Sequence, residues 1–85
     1  MEARESIEQG IKAYLLRDFL QGEDPQLLQK DTPLISAGIL DSIATLQLVT
    51  FLEQEFSISL QSHETGAEHL DTIAKMASLV LAKSR

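Results

Sequence analysis

Cysteine and tryptophan are absent from this 85-residue sequence, and proline occurs only twice. Without cysteine the chain has neither a disulfide framework nor thiolate chemistry of its own. A chain of this length forms one domain, residues 1–85, whose core is too small to enclose a deep catalytic cleft. Small domains that fold without disulfides usually depend on packed helices. These absences favour a binding or carrier role over a self-contained enzyme.

Long apolar runs are also missing. No segment approaches the roughly 20 apolar residues that cross a membrane. The first residues, Met1 to Glu5, lack the basic and then apolar pattern of a signal peptide. We therefore expect a soluble protein of the cytoplasm.

Positive charge is scarce and unevenly distributed. Thirteen Asp and Glu face seven Lys and Arg, which gives a net charge of −6. From Asp31 to Ala74 there are seven acidic residues and no Lys or Arg. Such a surface repels phosphate backbones and anionic membranes, so nucleic acid and lipid are excluded as preferred partners. The acidic segment either keeps the protein soluble or steers it towards basic partners.

Amphipathic patterns predict three main helices. The first ends near Gly22 and Pro25. The second begins at Ser42 after Asp41, a good N-cap, and the last is capped by Asp71 or Thr72. The predicted core positions are Ile7, Ile11, Leu15 and Phe19, then Thr45, Leu48, Val49, Leu52 and Phe56, then Ile73, Met76, Ala77, Val80 and Leu81. Lys83 and Arg85 follow at the negative end of the last helix.

The connection between the first two helices, residues 21–41, is long for a small domain. Leu27 and Leu28 are expected in a short turn, Asp31 to Pro33 in another, and Gly38 at a positive φ. The apolar residues expected to reach the core from this connection are Leu34, Ile35, Ile39 and Leu40. Residues 57–60 alternate like a strand but have no partner, so we predict a loop there, followed by a short helix around 64–69. The predicted fold is an all-α, four-helix bundle with one short helix.

The segment Gly38-Ile39-Leu40-Asp41-Ser42-Ile43 resembles the motif of acyl and peptidyl carrier proteins, in which Asp-Ser-Leu opens the second helix. The resemblance extends over most of the chain. It includes Thr32-Pro33-Leu34 in the long loop, the stretch Phe56-x-Ile58-x-Leu60, and Thr72-Ile73 at the start of the last helix. Asp-Ser alone is uninformative, whereas the ordered set at these spacings is specific.

The resemblance implies a 4′-phosphopantetheine cofactor on Ser42, installed from coenzyme A by a phosphopantetheinyl transferase. Its thiol would hold acyl or aminoacyl thioesters. The implied partners are that transferase, an adenylating ligase that loads the arm, and a downstream synthase, transferase or tailoring enzyme. The protein would be a non-catalytic, stand-alone, monomeric carrier. At Ser42 the phosphate would lie at a helix N-terminus, where anions are stabilised, and Asp41 would help to position the transferase.

Two departures from the family pattern concern the second helix. Ile43 replaces the usual leucine, and the outer face is less acidic than in fatty-acid carriers. This difference favours specialised-metabolite or aminoacyl pathways over bulk fatty-acid synthesis. Ile43 and Leu46 lie within about 60° of each other on the helical wheel, although Leu46 could instead pack against the loop. The predicted docking residues are Asp41, Ile43, Leu46, Gln47 and Glu53.

Three alternatives compete with the carrier hypothesis. The first is a small acidic helical interaction module without a covalent cofactor. The second is a metal site at His63, Glu64, Glu68 and His69, which is disfavoured because histidines six apart on one helix point about 120° from each other. The third is a hydrolase using Ser42, His63 and Asp41, which is disfavoured because no strand supplies a nucleophile elbow. We expect no metal site.

Overall fold

The regular structure of the residues described is helical. The computed structural model describes residues 2–22, 24, 26 and 28–84. The helices are α1 (Glu2–Asp18), α2 (Ser42–Phe56), α3 (Ala67–Leu70) and α4 (Ile73–Lys83), and the 3₁₀ turn Ser62–Glu64 precedes α3. No strand occurs in these ranges. The all-α bundle with one short helix is therefore confirmed.

Helix α1 confirms its predicted pattern. Ile11 and Leu15 are fully buried, and the half-buried Ile7 and Phe19 pack against the same core. Gly22 has a φ of +85°, a backbone conformation that glycine adopts without strain. Pro25, Leu27 and Arg85 lie outside the described residues. Leu28 is 3% exposed, so the connection does reach under the bundle.

The apolar residues predicted for the core face of α2 do pack there. Leu48 and Leu52 are fully buried, as expected, and Ala44 is buried with them. Val49 and Phe56 are half-buried and pack against the same core, as predicted, whereas Thr45 is half-buried without belonging to that apolar cluster. Thr45 and Val49 line an open depression between α2 and the segment that leads into α3, and this depression leaves them accessible.

Helix α4 packs against both α1 and α3. Its N-cap is Thr72, whose hydroxyl accepts a hydrogen bond from the N–H of Lys75 at 3.1 Å. Leu79 is buried and Leu81 only half-buried, so the inclusion of Leu81 in the buried stripe was wrong. A helix with two packed neighbours buries a wider arc than one amphipathic stripe, and here that arc extends to the α3 side.

The long connection folds back as predicted, with one exception. Leu34 and Leu40 are buried and Ile35 is half-buried, whereas Ile39 is 41% exposed. Gly38 takes the predicted positive φ, +79°. Within this turn the backbone directs Leu40 inwards and its neighbour Ile39 outwards, so the assignment of Ile39 to the core was wrong.

Aromatic side chains fill the space between α1 and α2. The rings of Tyr14 and Phe51 stack with centroids 3.9 Å apart and planes within 6°. Phe19 meets Tyr14 edge to face, and Phe56 meets Phe51 in the same way. Such edge contacts are favourable beyond the apolar area they bury. This cluster fixes the side of α2 that faces α1 and leaves its other side, which begins with Ser42, towards solvent.

Candidate functional site

Ser42 is exposed at the first position of α2, as the sequence predicted. The carboxylate of Asp41 accepts a hydrogen bond from the N–H of Ala44 at 2.8 Å, which confirms its role as the N-cap. The Asp41 carbonyl accepts from the N–H and the hydroxyl of Thr45, at 2.9 and 2.8 Å. The first turn of α2 is therefore fixed by Asp41, while the hydroxyl of Ser42 is accessible.

The backbone at Ser42 also has capacity for an anion. The N–H groups of Ser42 and Ile43 meet no acceptor among the residues that the structure describes. Unpaired N–H groups in a first helical turn, together with the helix dipole, favour a negative group placed nearby. A phosphate carried by Ser42 would fit this position chemically.

Three large apolar side chains within four residues of Ser42 in the chain are exposed, and together they are named the apolar patch: Ile39, Ile43 and Leu46. Ile43 is 68% exposed and Leu46 is 67% exposed. Leu46 therefore does not pack against the loop, which settles the alternative left open by the sequence. Ile39 belongs to this patch, and no local pattern distinguished it from its inward-facing neighbours. Large apolar side chains exposed together indicate a contact surface.

The remaining predicted docking residues differ in their surroundings. Gln47 is exposed on α2. Glu53 is half-buried, and its carboxylate accepts a hydrogen bond from the N–H of Leu60 at 2.9 Å. This contact ties Glu53 to the loop after α2. Glu53 and Glu55 are the acidic residues of α2, which carries no Lys or Arg.

An open depression of about 530 Å³ lies beside Ser42. Its walls come from the loop before α2, from α2 itself, and from the residues that begin α3. The lining residues on the loop and α2 are Ile35, Leu40, Asp41, Ser42, Thr45, Leu46 and Val49, and those at α3 are Thr65, Gly66 and Ala67. The depression is lined by both Ser42 and Leu46, so it connects Ser42 to the apolar patch.

Asp71 makes the longest-range contacts near the site. Its Oδ1 accepts from the N–H groups of Leu34, Ile35 and Ser36 at 3.1, 2.8 and 2.8 Å, and its Oδ2 accepts from the Ser36 hydroxyl at 2.7 Å. The hydrogen bonds from Ser36, backbone first, hold the pKa of Asp71 below its usual value. Sequence reasoning considered Asp71 only as a cap of α4, because no local signal marks a partner 35 positions away.

The two histidines lie in different elements of the structure. His63 is exposed in the 3₁₀ turn, and His69 lies in α3 beside Glu68, with 3.9 Å between His69 Nε2 and Glu68 Oε1. Within the described residues, no three His, Cys, Asp or Glu side chains are grouped to hold a metal ion. His63 is also not among the residues that line the depression beside Ser42.

Two carrier proteins are similar to this chain over most of its length. It is 34% identical over 74 residues to the probable acyl carrier protein PigG of Serratia sp. (strain ATCC 39006), covering 87% of this chain and 84% of PigG. It is 32% identical over 81 residues to the D-alanyl carrier protein of Streptococcus suis (strain 98HAH33), covering 95% and 94%. The chain belongs to the acyl and D-alanyl carrier protein family. Members of this family bind phosphopantetheine and are not themselves catalysts.

Two further comparisons concern this carrier. No protein-family model matches it. Its fold matches a chain in a crystal structure described as an FAD-dependent dehydrogenase, with a TM-score of 0.73, 30% identity, and coverage of 82% of this chain and 97% of that chain. In the described ranges, the carrier has no helix with the length and apolarity that a bilayer crossing needs. The resemblance inferred from the motif is thus confirmed by independent relatives.

Proposed function

We propose that the carrier bears its 4′-phosphopantetheine arm on the hydroxyl of Ser42. The observation that carries this proposal is the exposed Ser42 at the start of a helix whose first turn is capped by Asp41. The free N–H groups of Ser42 and Ile43 favour the phosphodiester that results. When bound, the arm supplies a thiol, which the cysteine-free chain lacks.

The modification is a phosphoryl transfer in which Ser42 is the nucleophile. Ser42 Oγ forms a bond to the pantetheine-linked phosphorus of coenzyme A, and the pyrophosphate bond to the adenosine half breaks. Adenosine 3′,5′-bisphosphate leaves, and the hydroxyl proton passes to a base of the transferase. The chain's own contribution is to expose the hydroxyl and to hold the backbone of α2 in a fixed first turn. Asp41 adds a negative charge for the transferase's metal or basic side chain.

The apolar patch and Gln47 form the surface on which partner enzymes dock. Its members are all exposed, and Ile43 and Leu46 each keep about two-thirds of their surface exposed. A neutral, apolar contact surface favours partners with complementary apolar pockets. Glu53 contributes indirectly, because its carboxylate holds the loop after α2 at Leu60. The partners are the transferase, an adenylating ligase and downstream enzymes, acting in the cytoplasm where coenzyme A is available.

The cargo is an aminoacyl group or a specialised acyl group. The low charge of α2 separates this carrier from strongly acidic fatty-acid carriers. The similar proteins point the same way, since one is a D-alanyl carrier and another is the probable acyl carrier PigG. The thioester would be held by the arm, so the domain itself imposes little selection on the cargo.

A flavin enzyme is one downstream partner that the structural similarity supports. The alignment covers 97% of the matched chain but only 82% of this 85-residue carrier, so the matched chain is the shorter of the two. A domain of that size cannot also enclose FAD and a dehydrogenase site. We infer that it is a carrier-like companion of the dehydrogenase. Binding of that dehydrogenase to the wild-type carrier, weakened in Leu46→Asp, would support the assignment, and equal binding of both would contradict it.

Intact-mass measurement tests the central proposal. The purified chain is incubated with coenzyme A, Mg²⁺ and a broad-specificity phosphopantetheinyl transferase. We expect one added phosphopantetheine on the wild type and none on Ser42→Ala. Ser59→Ala, which removes another exposed serine, is the matched control and should be modified like the wild type. A wild type that gains no mass would contradict the proposal and favour the interaction module without a covalent cofactor.

A further inference from the structure

Asp71, which comes much later in the chain, binds the loop that precedes Ser42. It lies between α3 and Thr72, the N-cap of α4. Its side chain accepts hydrogen bonds from three consecutive backbone N–H groups, those of residues 34–36, and from the Ser36 hydroxyl. Its carbonyl also accepts from the N–H of Leu34 at 2.7 Å. Hydrogen bonds to a carboxylate are stronger than those between neutral groups, so this is the principal polar anchor of the loop.

From that anchor, backbone hydrogen bonds lead to Leu40, two residues before Ser42. The Leu34 carbonyl accepts from the N–H groups of Ile39 and Leu40 at 2.9 and 3.0 Å, and the Ile35 carbonyl accepts from Gly38 at 3.0 Å. Leu40 is the residue before Asp41. Residues 34–40 therefore form one closed turn, with Asp71 bound at its beginning and Asp41 with Ser42 at its end.

Apolar packing alone leaves much of this turn unsupported. Leu34 and Leu40 are buried at its two ends, but residues 36–39 are all exposed. Exposed segments with few buried contacts open at low free-energy cost. The same turn supplies Ile35 and Leu40 to the wall of the depression and Ile39 to the apolar patch. An opened turn would alter both surfaces while leaving the hydroxyl of Ser42 in place.

We propose that Asp71 is a positioning residue for the modification of Ser42 and for partner docking, acting through the turn 34–40. The inference rests on the proposed function of Ser42. Asp71 does not touch the reacting atoms. It holds the docking surface in the conformation that partners bind. Without this contact, that conformation would be only a minor one.

The proposal predicts different effects on partner binding, measured by KM, and on the chemical step, measured by kcat. If the turn adopts its docking conformation only part of the time, the apparent affinity of a partner falls by that fraction. A competent fraction of about 0.1 to 0.2 would raise the KM for the carrier about fivefold to tenfold. Once a partner has bound, Ser42 and Asp41 are unchanged, so kcat should stay within about twofold of the wild type.

Three variants test the inference in the full chain. Asp71→Asn keeps the shape and removes the charge, and Ser36→Ala removes one hydrogen bond from an exposed residue, so it should not affect folding. Glu68→Gln is the control, because it removes a negative charge from exposed Glu68 in neighbouring α3. Amide hydrogen exchange is measured for residues 34–40 and for α1, and KM and kcat are measured for coenzyme A-dependent modification.

We expect faster exchange at residues 34–40 in Asp71→Asn, unchanged exchange in α1, and a raised KM with kcat nearly unchanged. Ser36→Ala should move in the same direction by less, and Glu68→Gln should match the wild type. Unchanged exchange at 34–40, unchanged KM despite faster exchange, or an equal effect of Glu68→Gln would each overturn the inference. A wild type that is never modified would overturn the proposed function as well, so the two failures are distinguishable.

Discussion

Lys83, in the last turn of α4, places its ammonium 2.9 Å from Oε1 of Glu64 in the 3₁₀ turn. The same Oε1 accepts a hydrogen bond from the N–H of Gln61 at 2.8 Å. Glu64 thus closes its own turn and binds it to the end of α4. The basic residues at this helix end were expected to oppose the dipole, and Lys83 also acts as a tertiary contact.

This contact predicts an acid-sensitive contribution to stability. The hydrogen bond from Gln61, followed by that from Lys83, lowers the pKa of Glu64 from its usual 4.5. A lowered pKa stabilises the fold above pH 4.5, and this contribution is lost as the pH falls through the folded-state value. Urea unfolding should show Glu64→Gln to be less stable than the wild type at pH 7, with the difference closing in acid. A difference that does not change with pH would contradict this.

Two leucines two positions apart on α2 should differ strongly in how much their substitution changes the free energy of unfolding. Leu48 is fully buried and Leu46 is 67% exposed. Leu48→Ala leaves a cavity, and we expect it to lower the free energy of unfolding by about 2–5 kcal/mol. Leu46→Ala should change it by no more than about 0.5 kcal/mol. Denaturant unfolding measures both, and similar losses from the two variants would show that the placement of α2 is wrong.

Charge in the apolar patch should weaken partner docking without unfolding the domain. Ile43→Asp and Leu46→Asp each remove an apolar contact that is worth about 1.5–3 kcal/mol when buried. Loading by the ligase should then fall about 10-fold to 100-fold in kcat/KM. Gln54→Asp is the control, since it adds the same charge at an exposed position near the end of α2. If all three variants load equally well, the patch is not a docking surface.

Two substitutions distinguish the helix-capping role of Asp41 from the role of its negative charge in modification. Asp41→Ala removes the acceptor for the Ala44 N–H and should destabilise the domain by about 1 kcal/mol. Asn caps helices about as well as Asp, so Asp41→Asn should remain nearly as stable as the wild type. We expect both variants to slow modification of Ser42, because both lose the charge. Normal modification of Asp41→Asn would restrict Asp41 to the capping role.

Gly10 is a position where stability can be gained. It lies inside α1, and a Cβ built there would approach the Phe56 ring at 3.9 Å, an ordinary contact distance. Gly10→Ala should therefore raise the free energy of unfolding by about 0.5–1 kcal/mol through helix propensity alone. Thermal unfolding should show an increase of roughly 2–8 °C for a domain of this size. A decrease would mean that α1 and α2 lie closer together than described.

Local patterns predicted most of the helices and the position of the candidate site. The periodicity of α1, the cap at Asp41 and the positive φ of Gly38 are properties of short segments, and the structure confirms each of them. Errors occurred where one residue could face either way. Ile39 and Leu40 are adjacent and equally apolar, and only the turn closed on Leu34 decides which is buried.

The sequence by itself determined the helical class, the exposed Ser42 at a helix start and the acidic segment around it, because these depend on composition and on neighbours within a few residues. Tertiary structure alone decided what Asp71, Glu53 and Lys83 contact, and that Leu79 rather than Leu81 completes the buried side of α4. The reason is physical. A carboxylate accepts hydrogen bonds from whichever donors the fold brings near it, and neighbouring residues in the sequence do not show which donors these are. The long loop shows both contributions, since its turn residues are local and its anchor, Asp71, lies far along the chain, between α3 and the N-cap of α4.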